Sequence, residues 1–190
     1  MKIGLLGGTF NPIHMGHLIL AQECWDQLTL DKVIFVPSFI PPHKHMETEV
    51  SAHDRLNMVR LALEGDDRFE ISTYEIDRKD VSYTIDTIRH FRSEDGNDVE
   101  IFFLTGADSA ETLSMWKNAD DILKECTFVA ASRPGWGEDS AYEDRIKRLI
   151  MPNIEISSTA VRQRIRDRRP IDHMVPQKVV QYIRKKGLYR

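Results

Sequence analysis

The sequence predicts an α/β fold built on one open parallel sheet with helices on both faces. Three observations carry this reading. Short apolar runs alternate with segments of helical periodicity along the chain, the pattern of successive βαβ units. The strand expected over residues 99–104 contains Ile101-Phe102-Phe103-Leu104, an apolar run suited to a strand covered on both faces. Three chemically unusual segments follow directly after strand-like runs, at residues 7–17, 105–108 and 156–162. Open parallel sheets bind ligands beyond the carboxyl ends of their strands, so the three should converge there.

Taken in order, residues 3–6 form a strand that ends at Gly7-Gly8, and residues 17–30 place Leu18, Ala21, Trp25 and Leu28 at helical spacing. Trp25 on that stripe is a core residue. A second strand covers 32–37, and a loop with Pro41, Pro42, His43 and Lys44 follows. Ser51 opens a helix with Asp54 in the capping-box position. Its apolar stripe is Ala52, Leu56, Val59 and Leu63. Further strands are expected over 69–76, 99–104, 128–131 and 153–156, and helices over 84–92, 109–124, 141–149, 158–168 and 176–186. Gly187 suits the C-cap of the last helix. The 190 residues fit one domain whose C-terminal part, from about 157 to 190, is a small helical subdomain.

Composition narrows the function classes. With 41% hydrophobic and 29% charged residues, the chain is neither disordered nor membrane-spanning. Two cysteines are too few for a disulfide framework and suit a reducing compartment, so the expected location is cytoplasmic. The net charge of -4 hides an asymmetry. Residues 1–144 carry 13 Lys+Arg against 27 Asp+Glu, while residues 145–190 carry 13 against 3. A basic tail can meet a phosphate-bearing partner or form a solvated helical face. No aromatic residues interleave with Arg162, Arg164, Arg166, Arg168 and Arg169, and the acidic body repels polyanions. No nucleic-acid partner is therefore expected.

The first chemical motif is Gly7-Gly8-Thr9-Phe10-Asn11-Pro12-Ile13-His14-Met15-Gly16-His17. Glycines after a strand let backbone approach a ligand. His14 and His17, three residues apart, share one face of a helix start, where imidazole donors and helix N–H groups suit phosphate. Taken alone, His-x-x-His is equally a locally satisfied turn, and no Cys or carboxylate completes a metal quartet. The second motif is Ile156-Ser157-Ser158-Thr159-Ala160-Val161-Arg162. Its hydroxyls cap a helix, and Arg162 shares a face with Ser158 and Thr159, from which it can clamp a phosphate. Alone, it reads as an N-cap before a basic surface helix.

Together these strings resemble the two signatures of the nucleotidylyltransferase superfamily, including its His-x-Gly-His motif. Along nearly the whole chain the sequence is most similar to the nicotinate-nucleotide adenylyltransferase family. Pro41-Pro42-His43-Lys44 resembles that family's phosphate loop, and Ser82-Tyr83-Thr84-Ile85-Asp86-Thr87 its pyridine-nucleotide segment. Gly106-Ala107-Asp108-Ser109 with Trp116 resembles its ribose- and ring-binding region. Asp80 departs from the family pattern, standing where glycine is expected. The resemblance implies a Rossmann-like fold and adenylyl transfer from ATP to nicotinate mononucleotide, with Mg²⁺ carried mainly on the ATP phosphates.

It also implies roles. His14, His17, Lys44 and Arg162 are the catalytic set, with His17 nearest the α-phosphate. Gly8, Thr9, Phe10, Gly106, Asp108, Arg133, Ser158 and Thr159 bind ATP. Ser82, Tyr83, Thr84 and Trp116 bind the nicotinate nucleotide. Bland alternatives stand beside several: Lys44 as a solvated lysine, Asp108 as an N-cap, Arg133 as a loop residue, Trp116 as a core aromatic. His43 and His45 read as surface residues, and Trp136 has no assigned place. Free N–H groups near residues 82–84 favour a carboxylate, so nicotinate is preferred over nicotinamide. Rival readings are a phosphopantetheine-type transferase of the same superfamily and a non-catalytic nucleotide sensor. The oligomeric state is open, and a homo-oligomer is compatible.

Overall fold

The computed structural model describes residues 1–42, 50–96, 98–132 and 142–190. Six strands form one sheet: β1 (Lys2–Gly8), β2 (Lys32–Pro37), β3 (Phe69–Ile71), β4 (Glu100–Gly106), β5 (Thr127–Ser132) and β6 (Lys147–Ile150). Their order is β3-β2-β1-β4-β5-β6, and every pairing is parallel. The order reverses between β1 and β4, which makes the crevice beyond their carboxyl ends the topological switch point. Leu6 sits opposite Leu104, so Gly7-Gly8 emerges beside Thr105-Gly106.

Helices cover both faces, as the sequence predicts. On one side α1 (Met15–Gln27), α2 (Ala52–Leu63), α7 (Ser158–Arg166) and α8 (Gln177–Lys186) share a core that includes Cys24, Phe35, Met58, Leu104, Val161 and Val180. On the other, α4 (Thr84–Asp95), α5 (Ala107–Glu111) and α6 (Ala119–Glu125) pack over Leu5, Ile101, Phe103 and Phe128. Fully burying each such side chain contributes roughly 1.5–3 kcal/mol. The C-terminal helices α7 and α8 lie in the first of these cores, beside α1 and α2.

Local chemistry explains several element boundaries. Ser51 caps α2, its Oγ accepting from Asp54 N–H at 3.0 Å. Gly187 ends α8 with φ of +65°, the conformation glycine adopts without a Cβ penalty. Trp25 packs against the first core while remaining partly exposed, with the Arg68 guanidinium 5.1 Å from its ring.

Four expectations are corrected. The predicted helix over 141–149 is instead a 3₁₀ turn (Glu143–Arg145) followed by β6. Pairing to β5 outweighs the apparent helical pattern of a short, charged edge segment. The strand expected over 153–156 has no regular structure. The strand expected over 69–76 stops at Ile71 and gives way to α3 (Tyr74–Arg78). The single helical region expected over 109–124 is α5, a 3₁₀ turn (Leu113–Met115) and α6, interrupted where Asn118 adopts a left-handed φ of +55°.

Candidate active site

The loop between β1 and α1 enters the switch-point crevice, and its conformation is tied down at carbonyl after carbonyl. Arg55 Nη1 donates to Thr9 O at 2.6 Å. Arg162 Nη1 donates to Asn11 O at 3.0 Å, and Ser158 Oγ–H donates to Pro12 O at 2.9 Å. The Tyr189 hydroxyl donates to Asn11 Oδ1 at 2.8 Å. Arg55, Arg162 and Tyr189 are all buried. Burial pushes the Tyr189 hydroxyl well above its usual range and lowers Arg55 from the usual arginine range. Phe10 takes a left-handed φ of +47°, and its ring fills the space over Gly8, where a Cβ would stand 3.0 Å away. A side chain at Gly8 would press on the Phe10 ring, which would have to give by a few tenths of an ångström.

His14 is the N-cap of α1 and is 6% exposed. Its backbone N–H donates to His17 Nδ1 at 3.2 Å, closing one arm of a capping box. Because Nδ1 accepts, the neutral His17 ring carries its proton on Nε2. The two imidazoles stack with centroids 3.7 Å apart and planes 28° apart. Phe10 meets the His17 ring edge-on, with centroids 5.0 Å apart. Burial lowers the His14 pKa to about 4, so that ring is neutral near pH 7. Gly16 leaves room for this stack: a Cβ there would lie 3.1 Å from the His14 ring.

The second motif sits beneath the first. Ser157 caps α7, accepting from Ala160 N–H at 3.1 Å. From the same helix, Ser158 and Arg162 reach the carbonyls of the first loop, and Arg162 Nη2 also donates to Thr159 Oγ1 at 3.2 Å. The two motifs, about 150 residues apart in sequence, thus form one hydrogen-bonded unit.

Residues 82–87 border the same crevice. Ser82 N–H donates to Ile40 O at 2.9 Å, and Ser82 Oγ accepts from Phe39 N–H at 3.0 Å. Tyr83 is the N-cap of α4, and both Asp86 and Thr87 N–H donate to its carbonyl. The Thr84 and Ile85 N–H groups thus precede the helix's own ladder. Asp80 does not strain the turn before this segment: the left-handed residue is Lys79, with φ of +55°, and the Asp80 carboxylate accepts from Val81 N–H at 2.7 Å.

Trp116 is half-buried. Its ring packs edge-on against Phe103 and Phe128, with centroids 6.0 and 5.9 Å away, and Nε1 donates weakly to Thr112 Oγ1 at 3.4 Å. One side is thus core, as its bland reading has it, while the ring keeps solvent-facing surface. Gly106 is exposed and is the N-cap of α5, which makes Asp108 that helix's second residue rather than its cap. Lys44, Arg133, His43, His45 and Trp136 lie outside the described residues, as does the Asp108 side chain.

Sequence reasoning missed Arg55, Glu75 and Tyr189. Arg55 has a sequence signal, since it falls on the apolar stripe of α2, four residues before Val59, where a charge needs buried partners. Glu75 and Tyr189 carry no comparable signal.

Comparison with known proteins places these features in context. Residues 5–164 match the family described as cytidylyltransferase-like. Over its full length the chain is 42% identical to a protein of Moorella thermoacetica named probable nicotinate-nucleotide adenylyltransferase, covering 92% of that protein. It is 44% identical to the one so named from Halalkalibacterium halodurans, covering 91% of it. The fold matches the nicotinic acid mononucleotide adenylyltransferase of Plasmodium falciparum, solved with NaAD. There the TM-score is 0.81 at 18% identity, over 99% of this chain and 97% of that one.

Proposed function

Because the chain belongs to the nicotinate-nucleotide adenylyltransferase family, we infer that it transfers the adenylyl group of ATP to nicotinate mononucleotide. The products are nicotinate adenine dinucleotide and pyrophosphate, a step of NAD biosynthesis. The observation that carries the site assignment is the stacked His14–His17 pair, held over a carbonyl-anchored loop at the switch point of the sheet.

The chemistry needs little more than placement and charge stabilisation. The mononucleotide phosphate is already an anion and attacks the α-phosphorus of ATP in line, with pyrophosphate leaving. His17 presents Nε2–H to the α-phosphate. His14 brings a neutral ring whose pKa an adjacent triphosphate raises. Lys44 and Arg162 balance phosphate charge, with Ser158 and Thr159 at the start of α7. Gly8, Thr9 and Phe10 shape the phosphate approach, and Gly106, Asp108 and Arg133 serve the adenosine end. Ser82, Tyr83, Thr84 and Trp116 receive the pyridine nucleotide.

Among the described residues no three His, Cys, Asp or Glu side chains cluster as metal ligands. The donor set suits Mg²⁺ arriving on the triphosphate, where it neutralises charge on the phosphate oxygens. We assign the enzyme to the cytoplasm, with support from the two free thiols. None of the described helices is long and apolar enough to cross a membrane.

The test is pyrophosphate formation from ATP with each mononucleotide in turn. Thr84 and Ile85 N–H groups at the positive end of α4 favour a carboxylate, so nicotinate mononucleotide is the expected substrate. Comparable kcat/KM for the nicotinamide form would remove that preference. No pyrophosphate with either would remove the proposed reaction.

A further inference from the structure

Arg55 is 1% exposed, a guanidinium buried on the inner side of α2. Its two Nη groups bridge two separate chain segments: Nη1 donates to Thr9 O at 2.6 Å, and Nη2 to Phe39 O at 3.0 Å. Phe39 is in turn held from the other side, its N–H donating to Ser82 Oγ at 3.0 Å. Behind Ser82 lies Glu75, a second buried charge. Glu75 accepts from Thr87 Oγ–H at 2.5 Å and lies within electrostatic reach of Ser82. Arg55 and Glu75 act on one another electrostatically.

Hydrogen bonds run from Thr9 through Arg55 and Phe39 to Ser82, and Glu75, bonded to Thr87, joins this run through its electrostatic interaction with Arg55. One end is the loop that carries His14 and His17, and the other is the start of α4, beside the expected pyridine-nucleotide site. A guanidinium suits the junction because its planar fork reaches two carbonyls at fixed spacing, which a lysine ammonium does not reproduce. Leaving such a carbonyl buried without its donor is costly.

We propose that Arg55 is a positioning residue that, through Phe39, Ser82 and Glu75, holds the phosphate loop and the pyridine-nucleotide segment in register, so that the two substrates meet at reacting distance. It rests on the substrate assignment above only for naming which substrate each end serves. Arg55 contacts neither substrate. A shift of about 1 Å in bound geometry can lower rate on the order of 100-fold, and a junction between two subsites is where such a shift would arise.

The experiment uses the full chain and the variants Arg55→Met, Arg55→Lys, Glu75→Ala and Glu75→Gln, with two readouts. In steady-state kinetics, Arg55→Met is expected to lower kcat at least tenfold and to raise KM for both ATP and the mononucleotide. Arg55→Lys should fall between it and the wild type. Glu75→Ala should raise KM for the mononucleotide while leaving KM for ATP within twofold, and Glu75→Gln, which keeps the acceptor, should recover most of that loss. The Arg55→Met/Glu75→Ala double variant should lose less than the product of the two single losses.

Amide hydrogen exchange of the free protein is the second readout and needs no substrate. Arg55→Met should speed exchange both at residues 9–14 and at residues 82–87, and Glu75→Ala chiefly at the latter. Faster exchange at only one end in Arg55→Met overturns the coupling. Kinetic constants within threefold of wild type in a folded but less stable Arg55→Met overturn the positioning role. If the wild type makes no pyrophosphate, the substrate reading fails, while the exchange pattern still decides whether the two segments are joined. If Arg55→Met does not fold, Arg55→Lys carries the same comparisons.

Discussion

Replacement of His17 separates two roles that the structure gives one side chain. As N3 of α1, its Nδ1 accepts the His14 backbone N–H at 3.2 Å. Losing a cap of this kind costs about 0.5–2 kcal/mol, and each kcal/mol moves Tm by roughly 2–4 °C in a chain of this size. The proposed catalytic role sits on the other nitrogen. Removing one preorganised donor from a developing phosphate charge lowers kcat by about 10²–10³, or about 2.7–4 kcal/mol. His17→Ala should therefore show a modest drop in Tm and a loss of turnover much larger than the drop explains. Two further variants divide the effects. His17→Asn places an acceptor near the Nδ1 position and should restore Tm without restoring kcat. His17→Gln extends an amide N–H toward the Nε2 position and should recover at least tenfold in kcat over alanine. The assays are pyrophosphate release at saturating ATP and mononucleotide, and thermal unfolding of the free protein. A His17→Ala variant with lowered Tm and kcat within threefold of wild type would refute the phosphate role and leave His17 as a cap.

Two other perturbations follow from the same geometry. His14 has its pKa lowered to about 4 by burial, against an ordinary value of 6.5. The unfolded chain therefore binds the extra proton between these values, and this contribution to stability is full above pH 6.5 and lost as pH falls toward 4. From pH 7 to pH 5 the loss is about 2 kcal/mol, visible in urea unfolding as the difference between wild type and His14→Gln; equal pH slopes in the two would exclude His14 as the source. Trp116→Ala should weaken the mononucleotide by about 1–3 kcal/mol, as for loss of a stacking platform, and ATP by much less. It should also lower Tm, since the ring packs on Phe103 and Phe128. Equal weakening of both substrates in calorimetric titration would make Trp116 a core residue only.

Much of the fold was legible because its signals are local. Buried runs such as residues 33–36 and 101–104 can be little else than interior strands, and Ser51 announces α2 through its own hydroxyl. The failures lie where tertiary contacts overrule local pattern. Residues 141–149 read as a helix, yet among the described residues Lys147 and Arg148 belong to an edge strand paired to β5. The two phosphate motifs were legible as strings. What the strings do not tell is their mutual hydrogen bonding, because Arg162 meets Asn11 only after some 150 intervening residues have folded into a sheet. Arg55 shows in the sequence as a charge on an apolar stripe, but its partners, the carbonyls of Thr9 and Phe39, come only with the fold.

The basic tail has a physical account that needs no polyanion. Of its cations, Arg162 serves the loop under His14. Arg164 and Arg166 fall in the last turn of α7, and Arg184, Lys185 and Lys186 in the last turn of α8. Positive charge at a helix C-terminus answers the partial negative charge of the unpaired carbonyls there, each case contributing about 0.3–1 kcal/mol. Arg164 goes further and donates to Pro170 O at 2.9 Å, and Arg184 pairs with Asp172 at 2.9 Å. Some acidic residues follow the same rule: Asp54 stands in the first turn of α2, Asp86 in that of α4, and Asp120 and Asp121 in that of α6. Helix C-termini thus take up five of the thirteen cations of residues 145–190. It follows that Arg166→Gln or Lys185→Gln should leave kcat/KM for ATP within twofold and shift stability by only a few tenths of a kcal/mol. A large loss of ATP affinity in either would return the tail to the phosphate-binding machinery.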